Sequence, residues 1–375
     1  MTEIAERRAY FSGLGLSEIG RHLDRTVMDL TIEALLNAID DAGVSRDEID
    51  GLSSYPGGEP AIWDIQEALR LKLKWYDGGI EGPGQTRAIM NAVMAVTSGQ
   101  CRHVLVWRAI KMMRGEPKWG HKPLDGMMQW LSPFHCYSAS NFTALHANRF
   151  MHERGMTREQ LAWIALTQRK HAALNPWATF KEPLTLDQYM ESPILTTPMC
   201  LYDYDVPVAG AVAFLISAAD AVADTRQPRV RVEAMSALAG ERLQWVGMER
   251  SALWTAVPYL WERTDLTPAD IDVASLYDGF SILTLEWIEA LGFCPPGEVG
   301  NFIDGGKNIS LGGAIPINTD GGQLSGGRLH GFGYVHELIL QLRGQAGARQ
   351  VEGAEVGALG IGGGPLAFCM LAVRD

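Results

Sequence analysis

The sequence predicts an α/β protein built from two duplicated halves. Three observations carry that expectation. The order helix, polar turn, short apolar strand occurs near the start and again after residue 249. A helix closed by glycine and followed by an apolar strand occurs once in each half. The strand-like runs are almost uniformly apolar, as in a sheet covered on both faces.

Residues 26–42 place Val27, Leu30, Ala34, Leu35, Ala38, Ile39 and Ala42 on one helical face, and Gly43 stops the run. A polar turn at 45–50 leads into a strand at 51–52. Residues 85–98 form the next helix, closed by Gly99, and His103–Trp107 reads as a strand. Residues 111–205 change character, with helices broken by Pro, Gly and aromatic residues, among them 157–174 with Thr157 as its cap. Such an insertion forms a lid or a pocket wall. Trp107, Trp119, Trp130, Trp163 and Trp177 can line a site for a large apolar ligand or serve core and subunit-interface packing. The strand at 211–217 closes the first half, and the polar stretch 223–228 is the joint. The halves are therefore residues 1–225, with the insertion, and 226–375.

The second half repeats the order. A helix at 249–263, a turn at 266–272 and a strand at 273–276 are followed by helices at 282–291 and 335–343 and a strand at 356–361. The formal charge of -12 opposes binding to nucleic acid or anionic membranes. No apolar run approaches the ~20 residues that span a bilayer, so the expectation is a soluble, cytoplasmic protein. The five cysteines are scattered without a CxxC pair, predicting reduced and mostly buried thiols and no metal centre.

Chemistry concentrates in Tyr277-Asp278-Gly279-Phe280, Asn318-Thr319-Asp320-Gly321-Gly322, Gly327-Arg328-Leu329-His330-Gly331 and the Gly362-Gly363-Gly364 turn. With the two-fold repeat, these segments resemble the thiolase superfamily over essentially the whole chain. The sterol-carrier-protein type is nearest, and within it the thiolase-like steroid side-chain aldolases that act on acyl-CoA esters. The resemblance implies the thiolase fold, two duplicated α/β halves in five α-β-α-β-α layers with a helical lid insertion.

It also implies where a nucleophile would stand. The first thiolase cysteine falls on Gly82 in the turn Glu81-Gly82-Pro83-Gly84, and the second falls where the chain reads Leu359-Gly360-Ile361. Both thiols are missing, so an acyl-enzyme route is disfavoured and stabilisation of an enolate by fixed donors is favoured. The family histidine of the Gly-His-Pro turn falls on Arg328, and a tyrosine is the expectation for the aldolase branch. An arginine cannot be an ordinary base. It can anchor an oxyanion, a carboxylate or a CoA phosphate, or form a surface or interface ion pair.

Tyr277 takes the position of a family histidine and is the leading catalytic candidate, its alternative role being to pack at a strand end, with His330 as proton carrier or as a buried histidine bonded to a carbonyl. Asp278 is expected to cap or turn the chain before the helix at 282–291, Tyr334 to pack, and His336 to face solvent. Gly82, Asp278, Asn318, Gly321, Gly322, Gly363 and Gly364 are the expected substrate-binding positions. The function so implied is retro-aldol cleavage of a β-hydroxyacyl-CoA, with no metal or separate cofactor because coenzyme A belongs to the substrate. The implied partners are a second copy of the chain and a small zinc-ribbon/OB-fold protein. Two alternatives stay open: a non-catalytic thiolase-fold scaffold, and a thiolase or acyltransferase with a displaced nucleophile.

Overall fold

The computed structural model describes residues 4–55, 60–78, 86–111, 128–136, 138–222, 225–239 and 250–375. The first half contains β1 (Ala9–Leu16), α1 (Val27–Ala42), β2 (Gly51–Ser54), α2 (Ile62–Leu69), β3 (Trp75–Asp77), α3 (Arg87–Thr97) and β4 (His103–Lys111). The insertion follows, with α4 (Met128–Leu131), α5 (Ala139–Arg154), α6 (Arg158–Ala173), α7 (Leu186–Glu191) and the small pair β5 (Ile194–Thr196) and β6 (Met199–Cys200). Strand β7 (Ala209–Ala218) completes the half. The second half runs β8 (Val230–Ala239), α8 (Leu253–Trp261), β9 (Val273–Leu276), α9 (Ser281–Ala290), α10 (Val299–Phe302), α11 (Phe332–Leu342), β10 (Val356–Gly363) and β11 (Leu366–Arg374).

The strands join in the order β3-β2-β4-β7-β1-β8-β11-β10-β9. Outward from the middle, each half presents its first strand, its last, its penultimate and its second. In the first half β3 follows, parallel to β2. In the second, Ile317 alone takes that place, through a parallel bridge to Ala274. The halves meet where Tyr10 of β1 pairs antiparallel with Arg231 of β8. The duplication is therefore written in the topology, and the third strand of the second half has shrunk to one residue.

Local signals explain the helix ends. Thr26 and Asp29 form a capping box at the start of α1, and Gly43 ends it with φ 70°. Thr157 caps α6 by accepting from the Gln160 N–H at 3.3 Å. Gly13 and Gly15 bring β1 against the backbone of α1. A Cβ on them would lie 2.1 Å from the Ala38 carbonyl and 1.9 Å from that of Ala34. Helix α11 belongs to both halves: Phe332 stacks on Phe214 of β7 at 5.4 Å, while Leu338 packs over Gly357 of β10.

The insertion is bound into the core. Arg154 of α5 pairs with Glu289 of α9 at 2.6 Å, and His146 with Glu286 at 2.9 Å. Trp107 is buried, Trp130 is exposed, and Trp177 packs edge-on near His336. Trp119, Ala223 and Asp224 lie outside the described residues, as does the turn containing Gly82.

Candidate active site

Strand β9 ends at Leu276, where the 316–318 segment runs alongside it in parallel pairing. The Asn318 amide donates to the Leu276 carbonyl at 2.8 Å and accepts from the Leu276 N–H at 2.7 Å, clamping the strand end. Asn318 is fully buried with φ 49°. Its side chain is thus committed to the backbone, where the sequence pointed to substrate contact.

Beyond the clamp the chain makes a π-helical turn, Gly322–Gly326, resting on α6. Arg169 donates to the Ser325 hydroxyl at 2.8 Å, and Asn175 to the Asp320 carbonyl at 2.9 Å. Gly321 has φ 98° and no room for a Cβ beside Ala172. The N–H groups of the two expected binding glycines in this segment are spent internally: Gly321 donates to the Asn318 carbonyl and Gly322 to Asp320 Oδ1, each at 2.9 Å.

Asp278 corrects the reading of it as a helix cap. Phe280 is the N-cap of α9. Asp278 is instead wholly buried, accepting from the Gln323 N–H at 2.9 Å and from the Tyr334 hydroxyl, which is in close contact. Burial pushes its carboxyl up to about 7, against these bonds, which favour the charge. Tyr334 is held well above its ordinary value by the same burial and by Asp278, so it stays a donor. Tyr277 is 8% exposed at the end of β9, its ring edge-on to Tyr334 with centroids 6.1 Å apart. His336, expected at the surface, is buried under Trp177, and burial lowers it to about 3. It is therefore neutral.

Arg328 pairs with Asp205 at 2.8 Å, both partly buried. Burial raises Asp205 to about 6 while Arg328 pulls the other way. Two residues on, His330 adopts φ 52° and faces a cavity of about 430 Å³ between the halves. Tyr55, Thr86, Met90, Gly363 and Phe368 are among the other lining residues. Tyr55 lies between two partners, with the His330 ring centroid at 5.2 Å and the Arg108 guanidinium 3.7 Å from its own. Burial raises the Tyr55 phenol, opposed by Arg108 and Arg328. Gly364 sits in the β10–β11 turn and accepts from the Ala252 N–H at 2.7 Å.

Of the sequence-predicted residues, His330 and Gly363 line this cavity, while Tyr277, Asp278, Asn318, Gly321 and Gly322 are not among its lining residues. Sequence reasoning missed Tyr55, Arg108 and Asp205. Arg108 carries a signal in hindsight, as a charge inside the apolar run of β4. Tyr55 and Asp205 carry none, because each is placed by a contact distant in sequence, Tyr55 by the Trp107 carbonyl and Asp205 by Arg328. No cysteine lines the cavity: four of the five are buried and Cys136 is partly so. Burial holds Cys101 and Cys294 up to about 12. Among the described residues no group of three or more His, Cys, Asp or Glu converges on a metal position.

The palindromic sheet and a cavity between its halves define a thiolase-fold protein whose site carries no thiol. The sequence profile "Thiolase C-terminal domain-like" matches residues 247–373. A steroid side-chain-cleaving aldolase of Thermomonospora curvata is 30% identical, over 90% of each chain. The 17-hydroxy-3-oxo-4-pregnene-20-carboxyl-CoA lyase of Mycobacterium tuberculosis is 32% identical, over 90% of this chain and 92% of that one. The solved Ltp2-ChsH2(DUF35) aldolase superposes with a TM-score of 0.90 at 27% identity, covering 100% of this chain and 99% of that one. The chain belongs to the thiolase superfamily, in its sterol-carrier-protein-type branch with the thiolase-like aldolases.

Proposed function

We propose that this protein is an acyl-CoA retro-aldolase, a carbon–carbon lyase that cleaves the Cα–Cβ bond of a β-hydroxyacyl-CoA, with a steroid side chain as the acyl group. The observation that carries the reading is a cavity between the halves that offers phenol, imidazole and hydroxyl groups and no thiol. A 17-hydroxy-20-carboxyl-CoA steroid has its hydroxyl on the carbon β to the thioester carbonyl, as the reaction requires. The aldolase and lyase relatives support the same class.

In the first step Tyr277, at the end of β9, is the base that takes the β-hydroxyl proton. The O–H electron pair becomes the new C=O bond, and the Cα–Cβ pair passes into the thioester as an enolate. A proton returns to Cα, releasing a ketone or aldehyde and a shorter acyl-CoA, propionyl-CoA or acetyl-CoA. His330 carries protons between Tyr277 and solvent. Arg328 is held by Asp205 as its counter-ion. No proton is consumed overall, and coenzyme A enters only as part of the substrate.

The protein acts as a cytoplasmic homodimer joined by a small zinc-ribbon/OB-fold partner. The match to a structure whose name joins Ltp2 to ChsH2(DUF35) supports a partner of that kind. No helix among the described residues is long and apolar enough to cross a membrane. Co-expression with such a partner, followed by mass spectrometry of the CoA products, tests the reading. A shortened acyl-CoA with equimolar ketone or aldehyde is expected, and intact-mass analysis of denatured protein should show no acyl adduct. A stable adduct would move the activity to acyl transfer.

A further inference from the structure

Enolate formation needs donors aimed at the thioester oxygen, and the N–H groups of Gly321 and Gly322, two of the glycines that the motifs suggested for that task, are already bonded within the 318–326 segment. Other donors face the cavity from the first half. Thr86 stands at the start of α3, lines the cavity and is 1% exposed. It occupies the N-cap position without making a cap bond, and its Oγ1 has no hydrogen-bond partner among the described residues. A buried hydroxyl left without a partner costs free energy unless a ligand supplies one. The Arg108 Nε, behind the Tyr55 ring, is likewise buried without a partner among the described residues.

The field favours an anion. Thr86 heads an 11-residue helix, whose first turn carries partial positive charge. Arg87 lines the same cavity, while Arg108 and Arg328 act on Tyr55. Asp205 offsets Arg328.

We infer that Thr86 Oγ1 and the Tyr55 hydroxyl donate to the developing enolate oxygen of the thioester, with Arg108 as the positioning residue that fixes the Tyr55 ring. This rests on the aldolase reading above. It assigns donors of the oxyanion site to side chains of the first half, in place of the committed N–H groups of Gly321 and Gly322. The phenol of Tyr55 is raised by burial, which keeps it a donor at neutral pH.

Two measurements test the assignment. The first is steady-state cleavage of a β-hydroxyacyl-CoA by the partner complex. The second is the affinity of the full chain for a CoA thioether bearing a nitronate, a planar anion that mimics the enolate and does not react. Thr86→Val and Tyr55→Phe should each lower kcat by about 100-fold, with KM within about threefold, as removal of one preorganised donor does. Each should weaken nitronate binding by a similar factor and leave the affinity for coenzyme A unchanged. Thr86→Ser, which keeps the hydroxyl, should restore both, separating loss of the donor from misfolding. Turnover and nitronate affinity within threefold of wild type in both Thr86→Val and Tyr55→Phe would overturn the inference. If the wild-type complex fails to cleave while nitronate binding still falls in both variants, the aldolase reading falls and the donor set stands.

Discussion

The Asp278 carboxyl is enclosed by the Tyr334 hydroxyl, the Gln323 N–H and the space left by Gly322, where a Cβ would lie 2.1 Å from its Oδ2. Burial outweighs these donors and raises its folded value to about 7. Since the fold holds this proton more tightly than the unfolded chain does, the contribution to stability is full below about pH 4. It is lost as pH rises through about 7. Urea unfolding at pH 5, 6 and 7 should therefore show a component of about 1.4 kcal/mol per pH unit that disappears in Asp278→Asn. Identical slopes in the two proteins would place the ionisation elsewhere. Asn318 gives a second residue-scale prediction. Asn318→Ala removes both bonds to Leu276 at a buried position with φ 49°, and a loss of about 2–4 kcal/mol in denaturant unfolding is expected. The motif around Asn318 marked the segment as important, and correctly so for the fold. It could not say that the amide turns inward, because that depends on β9 lying within hydrogen-bond distance, a contact 42 residues away in sequence.

Helices α5 and α9 are held together by two ion pairs whose carboxylates are almost wholly buried. His146 meets Glu286, which also accepts from the Ser251 hydroxyl at 2.6 Å and the Trp254 indole at 2.9 Å. Burial lowers the His146 value, but Glu286 outweighs it and leaves it raised, and the same pairing leaves Glu286 lowered despite its own burial. The histidine contribution is full below about 6.5 and is lost as pH rises through its folded value. The glutamate contribution is full above about 4.5 and is lost as pH falls through its folded value. His146→Gln should accordingly cost about 3 kcal/mol in denaturant unfolding at pH 6 and less at pH 9. An unchanged cost at pH 9 would remove the charge from the account. Elements of this kind were only half legible in the sequence. The ends of α1 and α6 were readable from Thr26, Gly43 and Thr157, because caps act within a turn. That α6 would support the Gly322–Gly326 turn, or that His336 of α11 would be enclosed, was not readable, because each follows from which other element packs alongside.

At the scale of the whole molecule the two halves repeat one topology yet share their interior. Helix α11 carries Phe332 onto β7 of the first half, and at its end Arg343 donates to Asp41 of α1 at 2.7 Å and to the Phe11 carbonyl of β1 at 3.1 Å. The sheet itself continues across the junction through Tyr10 and Arg231. Each half alone would expose the apolar faces of α11 and β7 that now cover one another, and would leave the Arg343 guanidinium or its acceptors without partners, a large deficit against the marginal stability of ordinary domains. The duplicated sequence therefore marks a repeat of topology, and cooperative folding should belong to the whole. Expressed separately, residues 1–225 and 226–375 should each be aggregated or lack a cooperative unfolding transition, whereas co-expression should recover a complex that unfolds in one step. A monomeric 226–375 fragment with its own sharp transition would show that the second half needs none of these contacts, and that the cavity between the halves is assembled by docking two finished domains.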